Sequence, residues 1–142
     1  MVVVTVASVL LAVALPGLRD IMIGQQLKSM TFDFTADLIL ARSEALKRNS
    51  NVSLAAVSDN WNKGWTITDD TSGLRLADRE AGSAEVIFTS APARITFDAN
   101  GRVIAPTTQL RQTLKVDGHA VTASCVALDL SGRAQSSRGA CS

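Results

Sequence analysis

The sequence predicts an α+β chain in which one long amino-terminal helix packs on an antiparallel β-sheet domain. Three observations carry this. Met1 to Leu18 hold no charge; apolar residues then recur at steps of three and four as far as Ala45; and from Val52 the period changes to two, with turn residues at short intervals. The expected division is 1–18 as the membrane half of the helix, 19–49 as its amphipathic half and 50–142 as the β domain.

The first eighteen residues, as a helix, cover about 27 Å, close to the hydrocarbon thickness of a bilayer. Val2, Val3, Val4, Val6, Val9, Leu10, Leu11, Val13 and Leu15 are expected to lie in lipid or in the core of a helical assembly. Ala12-Val13-Ala14 also offers the small-x-small pattern of a signal-peptide cleavage site. No basic segment precedes it, so a retained single membrane helix is the stronger reading. Pro16 removes an intrahelical hydrogen bond and Gly17 adds freedom, which predicts a kink or local unwinding there.

Beyond Pro16, Leu27, Met30, Phe34, Leu38, Ala41 and Ala45 form one helical stripe. Gln25, Gln26, Lys28, Ser29, Asp33, Asp37, Arg42, Ser43 and Lys47 are expected to point away from it. Lys47-Arg48 complement the negative pole of the helix dipole, and Asn49-Ser50-Asn51 ends the helix.

Val52 to Val57 reads as a first strand, joined through Asp59-Asn60 and Asn62-Lys63-Gly64 to a second at Trp65 to Thr68. Leu74-Arg75-Leu76 reads as a short edge piece and Asp78 to Gly82 as a polar loop. Glu85 to Thr89 and Arg94 to Asp98 are further strands, with Asn100-Gly101 as a hairpin turn. Leu114 to Val116, His119 to Leu130 and Arg133 to Ser142, broken at Asp117-Gly118 and Ser131-Gly132, predict a three-stranded meander. Trp65 is expected to pack on the sheet core and Trp61 to cover the hairpin turn.

The chain has 142 residues, 46% of them hydrophobic, and a formal charge of +1 that argues against a strongly charged nucleic-acid binder. Charge is unevenly placed: after Asp98 come five basic residues, Arg102, Arg111, Lys115, Arg133 and Arg138, against Asp117 and Asp129. Arg111, Lys115, Arg133 and Arg138 are candidates for a small positive patch able to touch DNA phosphates. No aromatic residue interleaves them to stack on bases, so a solvated face competes with that reading. Cys125 and Cys141, the only cysteines, read as one disulfide of an exported domain that staples the final strand.

No catalytic constellation stands out. His119 is the single histidine, beside the Asp117-Gly118 turn; with Cys125 and Cys141 it matches no zinc spacing, and no glycine loop suited to phosphate is present. The expectation is a protein that is not an enzyme, with no metal, no cofactor and no small-molecule substrate.

The residues resemble the type IV pilin-like superfamily, and within it the minor pilins and pseudopilins of the GspH/FimT family. The resemblance covers essentially the whole chain. It rests on the apolar run ending in Ala14-Leu15-Pro16, on Leu40 to Asn49 followed by Val52-Ser53-Leu54, on Trp61 to Trp65, and on Ser131-Gly132-Arg133 with the terminal cysteine. The family's mature chain opens with a phenylalanine-led segment, preceded by a glycine and a short basic leader, that holds a glutamate a few residues in. This sequence starts downstream of those features, so a truncated or late start is expected, and the chain as given would not be processed by prepilin peptidase.

The resemblance implies a structural minor pilin of a type IV pilus, held in the inner membrane with a periplasmic domain before it enters the filament beside other major and minor pilins. Two alternatives stay open: a pseudopilin of a type II secretion system, and a DNA-binding minor pilin for DNA uptake. Some FimT-type members are associated with the latter through a Gly-Arg-x-Arg motif, whose second arginine is missing from Gly132-Arg133-Ala134-Gln135.

Overall fold

The computed structural model describes the backbone of every residue except Met1, Ala81 and Ser90, and side chains from Leu18 onward apart from those two. The expectations placed on Val2 to Leu15 as a membrane or filament core, and on a bend at Pro16-Gly17, lie outside the described side chains. Helix α1 spans Val2–Arg48. Its stripe is as the spacing predicts, extended downward by one residue: Ile23, Leu27, Met30, Phe34, Leu38, Ala41 and Ala45 are all buried. The helix closes where Asn49 adopts a left-handed conformation (φ 51°). Ser50 N then donates to Ala45 O at 3.2 Å, which caps a carbonyl that the ended helix would otherwise leave open.

Nine strands follow: β1 (Val52–Ala56), β2 (Gly64–Asp69), β3 (Arg75–Glu80), β4 (Val86–Thr89), β5 (Arg94–Phe97), β6 (Val103–Ala105), β7 (Leu110–Val116), β8 (Ser124–Leu128) and β9 (Ala134–Arg138). They form two antiparallel sheets where the sequence suggested one, in the orders β3-β2-β1-β5-β6 and β4-β7-β8-β9. The second is the expected meander with β4 added along β7. In the first, Leu54 stands between Ile67 and Ile95, a buried row that receives α1. Val103 N donates to Leu130 O at 3.1 Å, which joins β6 to the end of β8 and so links the sheets.

Some elements depart from expectation. The stretch Asp78 to Glu80, read as loop, completes β3; its charges suit a strand that forms the free edge of a sheet, where they discourage pairing with another chain. β6 was not foreseen, and β7 begins four residues earlier than the sequence reading placed it. Trp61 does not merely cover a turn. It is buried and donates from Nε1 to Pro92 O at 3.0 Å. With Trp65 and Phe88 it surrounds Phe34, whose ring meets theirs edge-on at 5.2, 5.4 and 5.3 Å for Trp61, Trp65 and Phe88.

Candidate assembly face

On the side of α1 turned away from the sheets, Leu18, Phe32, Ile39 and Leu46 are 58, 73, 54 and 50% exposed. They fall at multiples of seven residues, with Gln25 at the intervening position, so they form a stripe that winds slowly around the helix, by about 20° per seven residues. Ile21 and Met22 widen it at the lower end. This corrects the expectation that polar residues fill that face: Gln25, Gln26, Lys28, Ser29, Ser43 and Lys47 are exposed, but an apolar seam runs among them. A seven-residue apolar period is how a helix presents itself to another helix. Counting in sevens as well as threes and fours would have found it.

Two residues expected on the outside instead fasten the helix. Asp37 is buried, with Oδ2 accepting from Trp65 Nε1 at 2.8 Å. The Arg79 guanidinium reaches in from β3 and donates to both carboxylate oxygens, each at 3.1 Å. The hydrogen bond to Asp37 raises the Arg79 pKa, against the opposing effect of burial. On the other side of the stripe, Arg42 Nε donates to Gly101 O at 3.1 Å. Lower down, Arg19 pairs with Glu85 at 3.5 Å and His119 Nδ1 lies 2.7 Å from Asp20 Oδ1.

The carbonyl that Arg42 grips belongs to a pair of interlocked turns. Asp98 Oδ1 accepts from the backbone N–H of Asn100 and Arg102 at 2.9 and 2.8 Å. Asp129 Oδ1 accepts from Ser131 Oγ at 2.6 Å and Arg133 N at 3.0 Å. These donors lower both carboxyls from the ordinary 3.8, led by the Arg102 N–H for Asp98 and the Ser131 hydroxyl for Asp129. Gly132, at φ 82°, lies so close to the first turn that a Cβ there would overlap Gly101 O.

The four candidate DNA-binding residues do not share one surface. Arg111, on β7, and Arg133, in the turn before β9, border a depression of about 90 Å³, and Arg111 donates to Ser142 O at 2.8 Å. Lys115 lies toward the far end of β7 and pairs with Asp117 at 3.0 Å. Arg138 stands opposite Ser124, in register with the buried Leu114, and so belongs to the sheet face turned toward α1. Cys125 and Cys141 are disulfide-bonded, with Cα atoms 5.0 Å apart, and Cys141 N donates to Thr113 Oγ1 at 3.0 Å. Among the described residues no group of three or more His, Cys, Asp or Glu is placed to hold a metal. Among them, too, no helix is long and apolar enough to cross a membrane.

A family model described as type II transport protein GspH matches residues 31–132. No curated protein matches the chain. Among solved structures, the chain is similar to the Pseudomonas aeruginosa (strain PAO1) type IV minor pilin FimU in two crystal forms. In space group P21 the identity is 27% over 78% of this chain and 87% of that one, with a TM-score of 0.68. In space group P65 the values are 26%, 78%, 91% and 0.66.

Proposed function

The chain belongs to the GspH family of type IV pilin-like proteins, and from that membership we propose that it is a structural minor pilin of a type IV pilus, assembled beside other pilins through the outward seam of α1. The seam is the observation that carries the proposal. Leu18, Phe32, Ile39 and Leu46 leave half or more of their surface exposed in the monomer, and a neighbouring helix of like pattern would cover them at the spacing they already have. The domain behind the seam supplies rigidity and identity rather than chemistry, in keeping with the structural pilins it is similar to.

In this reading 1–18 anchors the subunit in the inner membrane and 19–49 with 50–142 stands in the periplasm, where the Cys125–Cys141 bridge is stable. On assembly Val2 to Leu15 passes from lipid into a bundle of similar helices, exchanging one apolar environment for another, with Pro16-Gly17 giving local freedom. The test is to replace Phe32 and Ile39 by aspartate in the full chain. Loss of the subunit from sheared filaments, with the domain still folded, supports the role; normal incorporation refutes it.

A second reading, a pseudopilin of a type II secretion system, draws support from the description of the matching family. Deleting the gene separates the two: loss of piliation with secretion intact favours the pilus, and the converse favours the secretion system. The DNA-uptake reading is not advanced, because Arg138 is divided from Arg111 and Arg133 by the thickness of a sheet.

A further inference from the structure

Between the lower part of α1 and the free edge strand β9 lies an open groove of about 590 Å³. Its walls carry Lys28 from the helix, with Leu27 and the seam residue Phe32 as apolar border, and Thr122, Ser124, Ser136, Ser137 and Arg138 from the sheet side. Ser124 stands directly across the strand register from Arg138, and Ser136 shares that face by alternation, so two hydroxyls and a guanidinium converge on one side. Lys28 faces them from α1, one turn above Gly24. At Gly24 even an added Cβ would come within 3.9 Å of Val121, so the absence of a side chain keeps the base of the groove open.

Among the described residues the two cations of this groove enter no ion pair. The described ion pairs engage Arg19, Lys47, Arg48, Arg75, Arg79, Arg94 and Lys115, and leave Lys28 and Arg138 out. The one carboxylate lining the groove, Asp20, lies about 12 Å below Lys28 along the helix, where His119 holds it. Two cations and a set of hydroxyls in a concave wall, with the acid held apart, suit a tetrahedral oxyanion.

We propose that this groove binds a phosphate group, carried by an anionic phospholipid headgroup or free in solution, with Lys28 and Arg138 as its charged grips. Position is compatible with the lipid: Lys28 lies ten residues, about 15 Å, past Leu18, where the membrane half of the helix ends, and its stem reaches back over part of that distance. The lipid form rests on the membrane-anchored reading above; the phosphate form does not.

The experiment uses the full chain in neutral detergent micelles, titrated with inorganic phosphate and, separately, with phosphatidylglycerol or phosphatidylcholine. It is read by backbone amide NMR and by native mass spectrometry. Phosphate is expected to shift the amides around Thr122 to Ser124 and Ser136 to Gly139, and phosphatidylglycerol to bind as a single saturable adduct that phosphatidylcholine does not form. Paired K28Q and R138Q changes should weaken both at least tenfold, while R133Q leaves them unchanged. Phosphate shifts without preference for phosphatidylglycerol support the site with a soluble ligand and set the lipid aside. If neither probe moves those amides, or the paired changes have no effect while the tryptophan near-UV signal reports an intact fold, the proposal is overturned.

Discussion

Truncating Phe32 to alanine separates assembly from folding. An aromatic side chain of this kind covers roughly 150–250 Å² when buried, and Phe32 is 73% exposed in the monomer, so about 150 Å² remains for a neighbour to cover. At about 25 cal/mol per Å² that is worth up to about 3.8 kcal/mol, and the part lost on truncation is about 2–3 kcal/mol. Each 1.4 kcal/mol is a factor of ten, so the affinity of the subunit for its place in the filament should fall roughly 30- to 150-fold. Stability of the monomer should stay within about 0.5 kcal/mol, because the ring contributes little to its own core. The assay pairs thermal denaturation of the full chain with its abundance in sheared filaments from a complemented deletion strain. Gln25→Ala, on the same line but polar, serves as the control and should leave both readouts unchanged. A Phe32→Ala subunit that enters filaments at the normal level would show that the seam is not the contact.

The remaining expectations concern what holds α1 in place. Asp37→Ala leaves the buried Trp65 N–H without its acceptor and should destabilise the chain by about 2–4 kcal/mol in urea denaturation. Arg79→Ala should cost less, since Arg79 is 45% exposed and its removal leaves the Trp65 bond standing. Gly132→Ala combines a left-handed backbone with an overlap on Gly101 O and should cost about 2 kcal/mol or more, seen as an earlier urea midpoint. Asp98 and Asp129 have folded pKa values below the ordinary 3.8, so their contribution is fully present above that value and is lost as pH falls through the folded ones. The urea midpoint should therefore hold from pH 7 to about 5 and decline below about 4. Asp129→Asn should flatten that decline, and a midpoint indifferent to acid would contradict the turn geometry.

How much of this was legible follows from the kind of signal each feature leaves. The stripe from Leu27 to Ala45, the helix end at Asn49 and the Asn100-Gly101 and Ser131-Gly132 reversals are local, set by residues adjacent in sequence or one turn apart, and the structure has them. β3 is legible only at its start, as the edge piece Leu74-Arg75-Leu76, because Asp78 to Glu80 has no apolar alternation; that half is a strand only by pairing with β2, over contacts that lie outside any local window. Asp37 escaped for a similar reason: nothing near it announces Trp65 and Arg79, 28 and 42 residues away. The basic patch was drawn from sequence proximity, whereas strand parity decides the face, and it sends Arg138 inward and Arg111 outward.

The polar contacts of α1 have a purpose that burial alone does not serve. Apolar contact is non-directional, and near the top of the helix the stripe consists of Ala41 and Ala45, side chains too small to resist a roll. At about 100° per residue, Asp37 and Arg42 lie on opposite flanks of the buried stripe, and the seam of Phe32, Ile39 and Leu46 lies roughly behind it. One flank is held by the Arg79 fork and the other by the Gly101 carbonyl. Rolling the helix either way breaks one of them. A subunit that meets its neighbours through one line of side chains must keep that line at a fixed azimuth relative to its globular domain, or each added subunit would present its domain at a different angle. For the proposed seam contact, directional bonds on both flanks meet that requirement while leaving the seam side chains outside the bonds that hold α1.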